Sequence, residues 1–433
     1  MKKRINSHIT TLWLILFRLT LDIVYINIIV PMYGYNGYVY VSDNAKYFLS
    51  WIAYIGLSFI ASSLIIFPLK PSSVIALVLF CMSYVPASSL FGLANLPYRF
   101  FMYVCIFWGL LLALTRLFLI KLKPGQKKNT GFKNPRIKDS LIEAIAWAFG
   151  AYILLLSFRY NRLYINLNLE NVYELRSAAA LANFGGFNGY LMTWAAVVFS
   201  FAAIRYYEKK MWSRFLLICY LQLLLFSING MRTTLFFIPI AIIGYILVTP
   251  RRLSMIPLFL TCINLGALLF FVVYKSVVLT GLLIYRVYYI PAMLGFQYFD
   301  FFSKNPPDML AQSVFRRLGS VSRYDIPIPY LIDSAYSDGK SMANTGMFGD
   351  AFANFGPFGS ILYPILFTIV FKVFDIASIG LNLRSYIVIV LVVSLAFSNV
   401  SFFTALLSNG LLMAILLLSL QNRPVASQSS SAK

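Results

Sequence analysis

ITTLWLILFRLTLDIVYINIIV, residues Ile9–Val30, is apolar along almost its whole length and carries only one pair of charges. As an α-helix these residues would extend about 33 Å, enough to cross a hydrocarbon core of about 30 Å. The charged pair is Arg18 and Asp22, which stand four residues apart. At that spacing both side chains share one helix face and can neutralise each other. Charge inside a bilayer is costly and usually functional, but a partner on the same face favours a structural role here. Lys2, Lys3 and Arg4 precede the run, and no small-residue cleavage site follows it. It therefore reads as a first membrane span rather than a removable leader.

Comparable runs recur near 47–67, 74–91, 100–120, 141–158, 189–204, 215–228, 233–249, 256–279, 357–376, 385–400 and 404–420. They predict an all-α, polytopic transmembrane helix bundle of about 12 spans, forming a single transmembrane domain over 1–433. Composition agrees, because only 12% of the 433 residues are charged while 60% are apolar. Soluble proteins carry about 25% charged residues, and half that stock cannot cover a water-facing surface. The four cysteines, Cys81, Cys105, Cys219 and Cys262, all fall inside the apolar runs without paired spacing, so they read as small core residues. Ser427–Lys433 is a Ser-rich tail whose composition (424–433) predicts disorder.

The net charge of +22 would suggest nucleic acid in a soluble protein. Here its distribution gives orientation instead, and no nucleic-acid partner is expected. Lysine and arginine crowd alternate connections: Lys70, the 121–138 stretch, Arg205–Arg214, Arg251 and Arg252, Lys372 and Arg384, then Arg423. Short basic connections stay in the cytoplasm, which puts both termini there and two long segments, 159–188 and 280–356, outside. Arg116 and Lys275 lie near span ends, where they can snorkel, and Glu143 suits the start of a helix. The outer side nevertheless keeps Arg99, Arg159, Arg162, Arg176, Arg232, Arg286, Arg316, Arg317 and Arg323, with fewer lysines. A guanidinium fork grips phosphate oxygens in bidentate fashion, so this excess points to an anionic, phosphate-bearing ligand; the bland reading is a set of charges solvated among lipid headgroups.

Three outer motifs stand out. Tyr173-Glu174-Leu175-Arg176 precedes an Ala run and Gly185-Gly186, in the pattern of a short interfacial helix ending in a glycine turn. Asn229-Gly230-Met231-Arg232 forms a tight turn whose guanidinium and free N–H groups make an anion site. The long segment carries Arg316-Arg317 and Arg323-Tyr324-Asp325, and closes with NTGMFGDAFANFGPFG, Asn344–Gly359. Four glycines there allow close packing or a re-entrant turn.

Together these features resemble the O-antigen (oligosaccharide repeat-unit) polymerases, carried by Tyr173–Arg176, Gly230–Arg232 and Gly349–Gly359. The resemblance implies a GT-C-like architecture in the bacterial inner membrane with its active face in the periplasm. The implied activity is a metal-independent membrane glycosyltransferase, requiring no cofactor. It moves a glycan from undecaprenyl diphosphate onto a lipid-linked repeat unit. The implied partners are undecaprenyl-diphosphate-linked oligosaccharides, membrane lipid and a polysaccharide chain-length regulator. A diphosphate leaving group needs charge stabilisation, for which Arg176, Arg232, Arg286, Arg316, Arg317 and Arg323 are candidates. A hydroxyl nucleophile needs a base; Asp350 matches the acidic motif position and Asp325 is the second choice, against a helix-capping role for Asp350. The related O-antigen ligases carry a histidine near the stretch matching Asn344–Gly346, whereas the one histidine of this chain is His8. A lipid-linked oligosaccharide flippase is the rival from another class; it would place charges deep in several spans and show a repeat between halves. His/Cys clusters for a metal are not evident.

Overall fold

The structure, a computed structural model, describes residues 2–41, 43–65, 69–118, 135–160, 187–247 and 253–421. The long helical stretches in chain order are α1 (His8–Asn36), α2 (Asn44–Ser63), α3 (Pro71–Leu93), α4 (Tyr98–Leu117), α5 (Arg136–Arg159), α6 (Phe187–Glu208), α7 (Trp212–Asn229), α8 (Arg232–Leu247), α9 (Leu253–Tyr274), α10 (Val278–Lys304), α11 (Ile328–Tyr336), α12 (Met347–Ala377), α13 (Leu383–Asn399) and α14 (Leu411–Leu420). No strand occurs among the described residues. Ten of these helices are long and apolar enough to cross a membrane, so the chain is a multi-pass helical membrane protein. The spans expected at 233–249, 385–400 and 404–420 correspond to shorter apolar helices, and the tail 424–433 lies outside the described residues.

Residues 280–356, expected as the large outer segment, are largely helical. They hold most of α10, all of α11 and the start of α12. Tyr, Arg, Gln and Asp interrupt the apolar pattern of α10, which hides it from a search for uniform hydropathy. Its aromatic residues are nonetheless buried: Tyr288, Tyr289, Tyr298, Phe299 and Phe302.

The chain divides into two compact units, one comprising residues 1–119, 249–372 and 393–405, the other 120–248, 373–392 and 406–433. In the first, the stretch 37–41 meets the end of α3, where Val41 N–H donates to Leu93 O at 2.9 Å. Helix α10 packs against the neighbouring helices of this unit: Tyr285 stacks on Tyr33 with ring centroids 3.8 Å apart, and Phe296 and Phe299 pack on Phe100. Three helices of this unit widen to π-helical turns, at Tyr25–Ile29, Phe80–Tyr84 and Gly281–Tyr289. Each turn ends two residues before a proline: Pro31, Pro86 or Pro291. A proline has no N–H to donate and its ring clashes with the carbonyl four residues back, so a widened turn accommodates it.

Deep in the first unit, Arg18 is fully buried and its terminal nitrogens are hydrogen-bonded. Its Nη1 donates to Ser50 O at 2.8 Å and Ser88 Oγ at 2.9 Å, and Nη2 donates to Ser50 Oγ at 2.5 Å. The Trp51 and Tyr54 rings flank the guanidinium at 4.5 and 5.0 Å. Asp22 lies 3.6 Å from Arg18 Nε and accepts from Tyr47 Oη at 3.0 Å and Ser89 Oγ at 2.6 Å. The pair thus ties α1 to α2 and α3, as a structural role requires.

The second unit is pinned at its basic end. Asp139 of α5 meets Arg205 at 2.6 Å and Lys209 at 3.2 Å, and Glu143 meets Arg214 at 3.0 Å. Elsewhere in it, Gln222 Nε2 donates to Thr234 O at 2.5 Å and Trp194 Nε1 to Leu407 O at 2.6 Å.

Candidate functional site

The segment carrying NTGMFGDAFANFGPFG turns back on itself inside the first unit. Residues 341–346 are not helical, and the chain then forms a short helical arm over 347–355. At Gly356 the backbone adopts φ 56° and ψ −138°, and a second arm over 357–377 runs on as a span. A positive φ with extended ψ is a conformation that only glycine adopts readily. The arms lie side by side, with Gly359 so close to the Ala351 carbonyl that a Cβ would collide with it. Phe348 of the first arm and Phe367 of the second both pack on Phe107.

Asp350 sits near the start of the first arm and is buried. Its Oδ1 accepts from Asn354 Nδ2 at 2.9 Å and its Oδ2 from the Phe402 N–H at 2.8 Å, and the Tyr363 hydroxyl reaches the same carboxyl. One carboxylate therefore holds together the short arm, the span that follows it and the break after α13. Asn354, four residues along the same helix face, links this group to the segment behind α10. Its Oδ1 accepts from Leu310 N–H at 3.0 Å and its main-chain oxygen from Met309 N–H at 3.1 Å, while Asp308 N–H donates to Ala353 O at 2.9 Å. Met309 and Leu310 take positive φ values of 56° and 65° to present those N–H groups. Left-handed backbone at two adjacent non-glycine residues costs about 1–2 kcal/mol each, so the clasp must repay that strain.

The same segment is closed by Asp308 and Gln312. Asp308 accepts from Gln312 N–H at 2.8 Å and Ser322 Oγ at 2.6 Å; Gln312 then bonds Ile326 O at 3.0 Å and Ile328 N–H at 2.8 Å. The loop so formed displays Arg316, Arg323 and Asp325, all exposed. Arg286 is exposed on α10, close enough to Tyr33 to act on it electrostatically.

The sequence-predicted site residues are thus dispersed. Arg316, Arg317, Arg323 and Asp325 share one loop that is clasped to the Asp350 arm, though none of the described arginines is among the partners of Asp350 itself. For Arg317 the backbone alone is described. Arg232 begins α8 in the second unit, and its side chain lies outside the described residues, as does all of Arg176 with its motif. Sequence reasoning gave no role to Asn354, Tyr363, Gln312 or the Phe402 amide. The i, i+4 spacing of Asp350 and Asn354 was a usable signal for the first; the partnership of residues 350 and 402 had none.

Each oxygen of the Asp350 carboxyl accepts from an internal donor. Among the described residues, no three His, Cys, Asp or Glu side chains gather as a metal ion requires. No protein-family model, curated protein or solved structure matches this chain.

Proposed function

We propose that this chain is an oligosaccharide repeat-unit polymerase, a glycosyltransferase acting at the periplasmic face of the bacterial inner membrane. It transfers a glycan from undecaprenyl diphosphate onto a hydroxyl of another lipid-linked repeat unit. The observation that carries the reading is the clasp between the Gly349–Gly359 motif and the arginine-bearing loop, made through Asp308, Asn354 and Asp350. Two features read separately from the sequence, an acidic glycine-rich motif and a cationic outer segment, form one bonded body.

In this reading the guanidinium groups of Arg316, Arg317 and Arg323 take up the charge that grows on the departing diphosphate. Arg286, Arg176 and Arg232 extend the cationic surface. Asp325, exposed and close in sequence to Arg323, is the freer carboxylate to receive the hydroxyl proton, while Asp350 shapes the arm. In this reading α10, whose Tyr285 stacks on Tyr33 and whose Phe296 and Phe299 pack on Phe100, lies along the outer side and is not counted as a crossing. The chain then crosses twelve times, with both termini in the cytoplasm as the charge asymmetry demands. A GT-C-like architecture belongs to the same proposal.

A second reading is favoured by one observation: the first arm of α12 begins about halfway along α4, as broken helices do in transporters of lipid-linked glycans and other solutes. Deletion of the gene separates the two. Loss of a polymerase leaves single repeat units on the lipid anchor, whereas loss of a flippase leaves none, and unchanged polymer would refute both. Asp350→Asn keeps an acceptor for the Phe402 amide; polymer retained by Asp350→Asn but lost in Asp325→Asn supports this division of roles. The reverse pattern makes Asp350 the base.

A further inference from the structure

A cavity of ≈ 30 Å³ opens where the first arm of α12 begins. Its wall includes Ser83, Trp108, Thr345, Gly349 and Ser398. The first helical bond of the arm runs from Asp350 N–H to Gly346 O at 3.1 Å, so the N–H groups of Met347, Phe348 and Gly349 precede the helix's own bonding. All three residues line the cavity. Thr345, only 6% exposed, lines it too, and its Oγ1 meets no partner among the described residues. The hydroxyl lies against Gly349, where any Cβ would collide with it.

Buried hydroxyl and amide groups without partners are destabilising, and natural proteins leave few of them. A helix start and an unpartnered threonine facing one small space describe a site for an oxygen ligand. Size and charge then select among such ligands. A space of this volume holds about one or two waters. No cation lines it, while Phe100, Val104 and Trp108 keep it of low polarity. Desolvating an anion there would outweigh what a helix N-terminus returns.

We propose that this cavity is a binding site for ordered water, held by Thr345 Oγ1 and the free N–H groups at the start of the short arm. The water completes the bonding of a non-helical segment buried at the depth of a span, the condition on which such backbone is tolerated. The water site is independent of the catalytic reading, since it concerns only the packing of the arm.

X-ray radiolytic labelling of the full chain in detergent tests it, because activation of a bound water oxidises its neighbours. Met347, 3% exposed, lines the cavity, and Met342, 55% exposed, serves as the solvent control. The expected result is oxidation of Met347 despite its burial, lost in Thr345→Val and kept in Thr345→Ser, with Met342 labelled equally in all three. An unlabelled Met347 in the unaltered protein, or equal labelling in Thr345→Val, overturns the proposal. So does a rise in melting temperature with formate or nitrate beyond that produced by a sulfate control of equal ionic strength, which would reveal an anion instead.

Discussion

Arg18 is the residue on which the first unit is most dependent. Its guanidinium has no access to solvent, yet serine oxygens, two aromatic faces and Asp22 surround it. Removing one member of a buried pair strands the other, at a cost of about 3–5 kcal/mol, whereas replacing both by apolar groups of similar volume can be nearly neutral. Arg18→Ala is therefore expected to unfold at markedly lower temperature in detergent than the double variant Arg18→Met/Asp22→Leu. If both melt alike, the pair is not a keystone of the unit. Gly356 provides a second test of the same kind. Its φ of 56° with ψ of −138° suits no side chain, and Gly356→Ala should lower stability by about 1–3 kcal/mol, measured by thermal melting.

Among the elements, α12 is the one that departs furthest from a plain span. DAFANFG brings Asp350 and Asn354 onto one face, places the reversal at Gly356 and lets Gly359 approach Ala351. Gly359→Ala puts a methyl group into the Ala351 carbonyl, and overpacking of this sort costs about 1–3 kcal/mol. The expected consequence is loosening of the clasp, read as faster proteolysis within 305–326 while the remaining chain stays intact. Unchanged cleavage would detach the loop's order from the packing of the two arms. The π-helical turns of α1, α3 and α10 follow a simpler local rule, each preceding a proline that the helix must accommodate.

At the scale of the whole molecule, the proposed orientation rests on the charge asymmetry of the connections. In a cysteine-free background, Val321→Cys, at a position 88% exposed, should react with a membrane-impermeant maleimide added to intact spheroplasts. Lys209→Cys, in the basic connection after α6, should react only after permeabilisation. The opposite pattern would invert the assignment of faces. The long apolar runs of most spans were legible because hydropathy adds up along the chain, residue by residue, without reference to neighbours in space. Arg18 and Asp22 were legible as a pair for a similar reason, since four residues of helix bring them together. Helix α10 escaped because Tyr, Arg and Asp interrupt its apolar pattern, and its tyrosines read as polar until the burial of Tyr288, Tyr289 and Tyr298 is known. The bond from the Phe402 amide to Asp350, the grip of residues 308–310 on Asn354 and the cavity beneath Thr345 join segments far apart along the chain. Local order in the sequence settled what dissolves in lipid and which loops carry charge. Which carboxylate is buried and which stays open depended on three-dimensional packing, because burial is a property of neighbours that the linear chain does not specify.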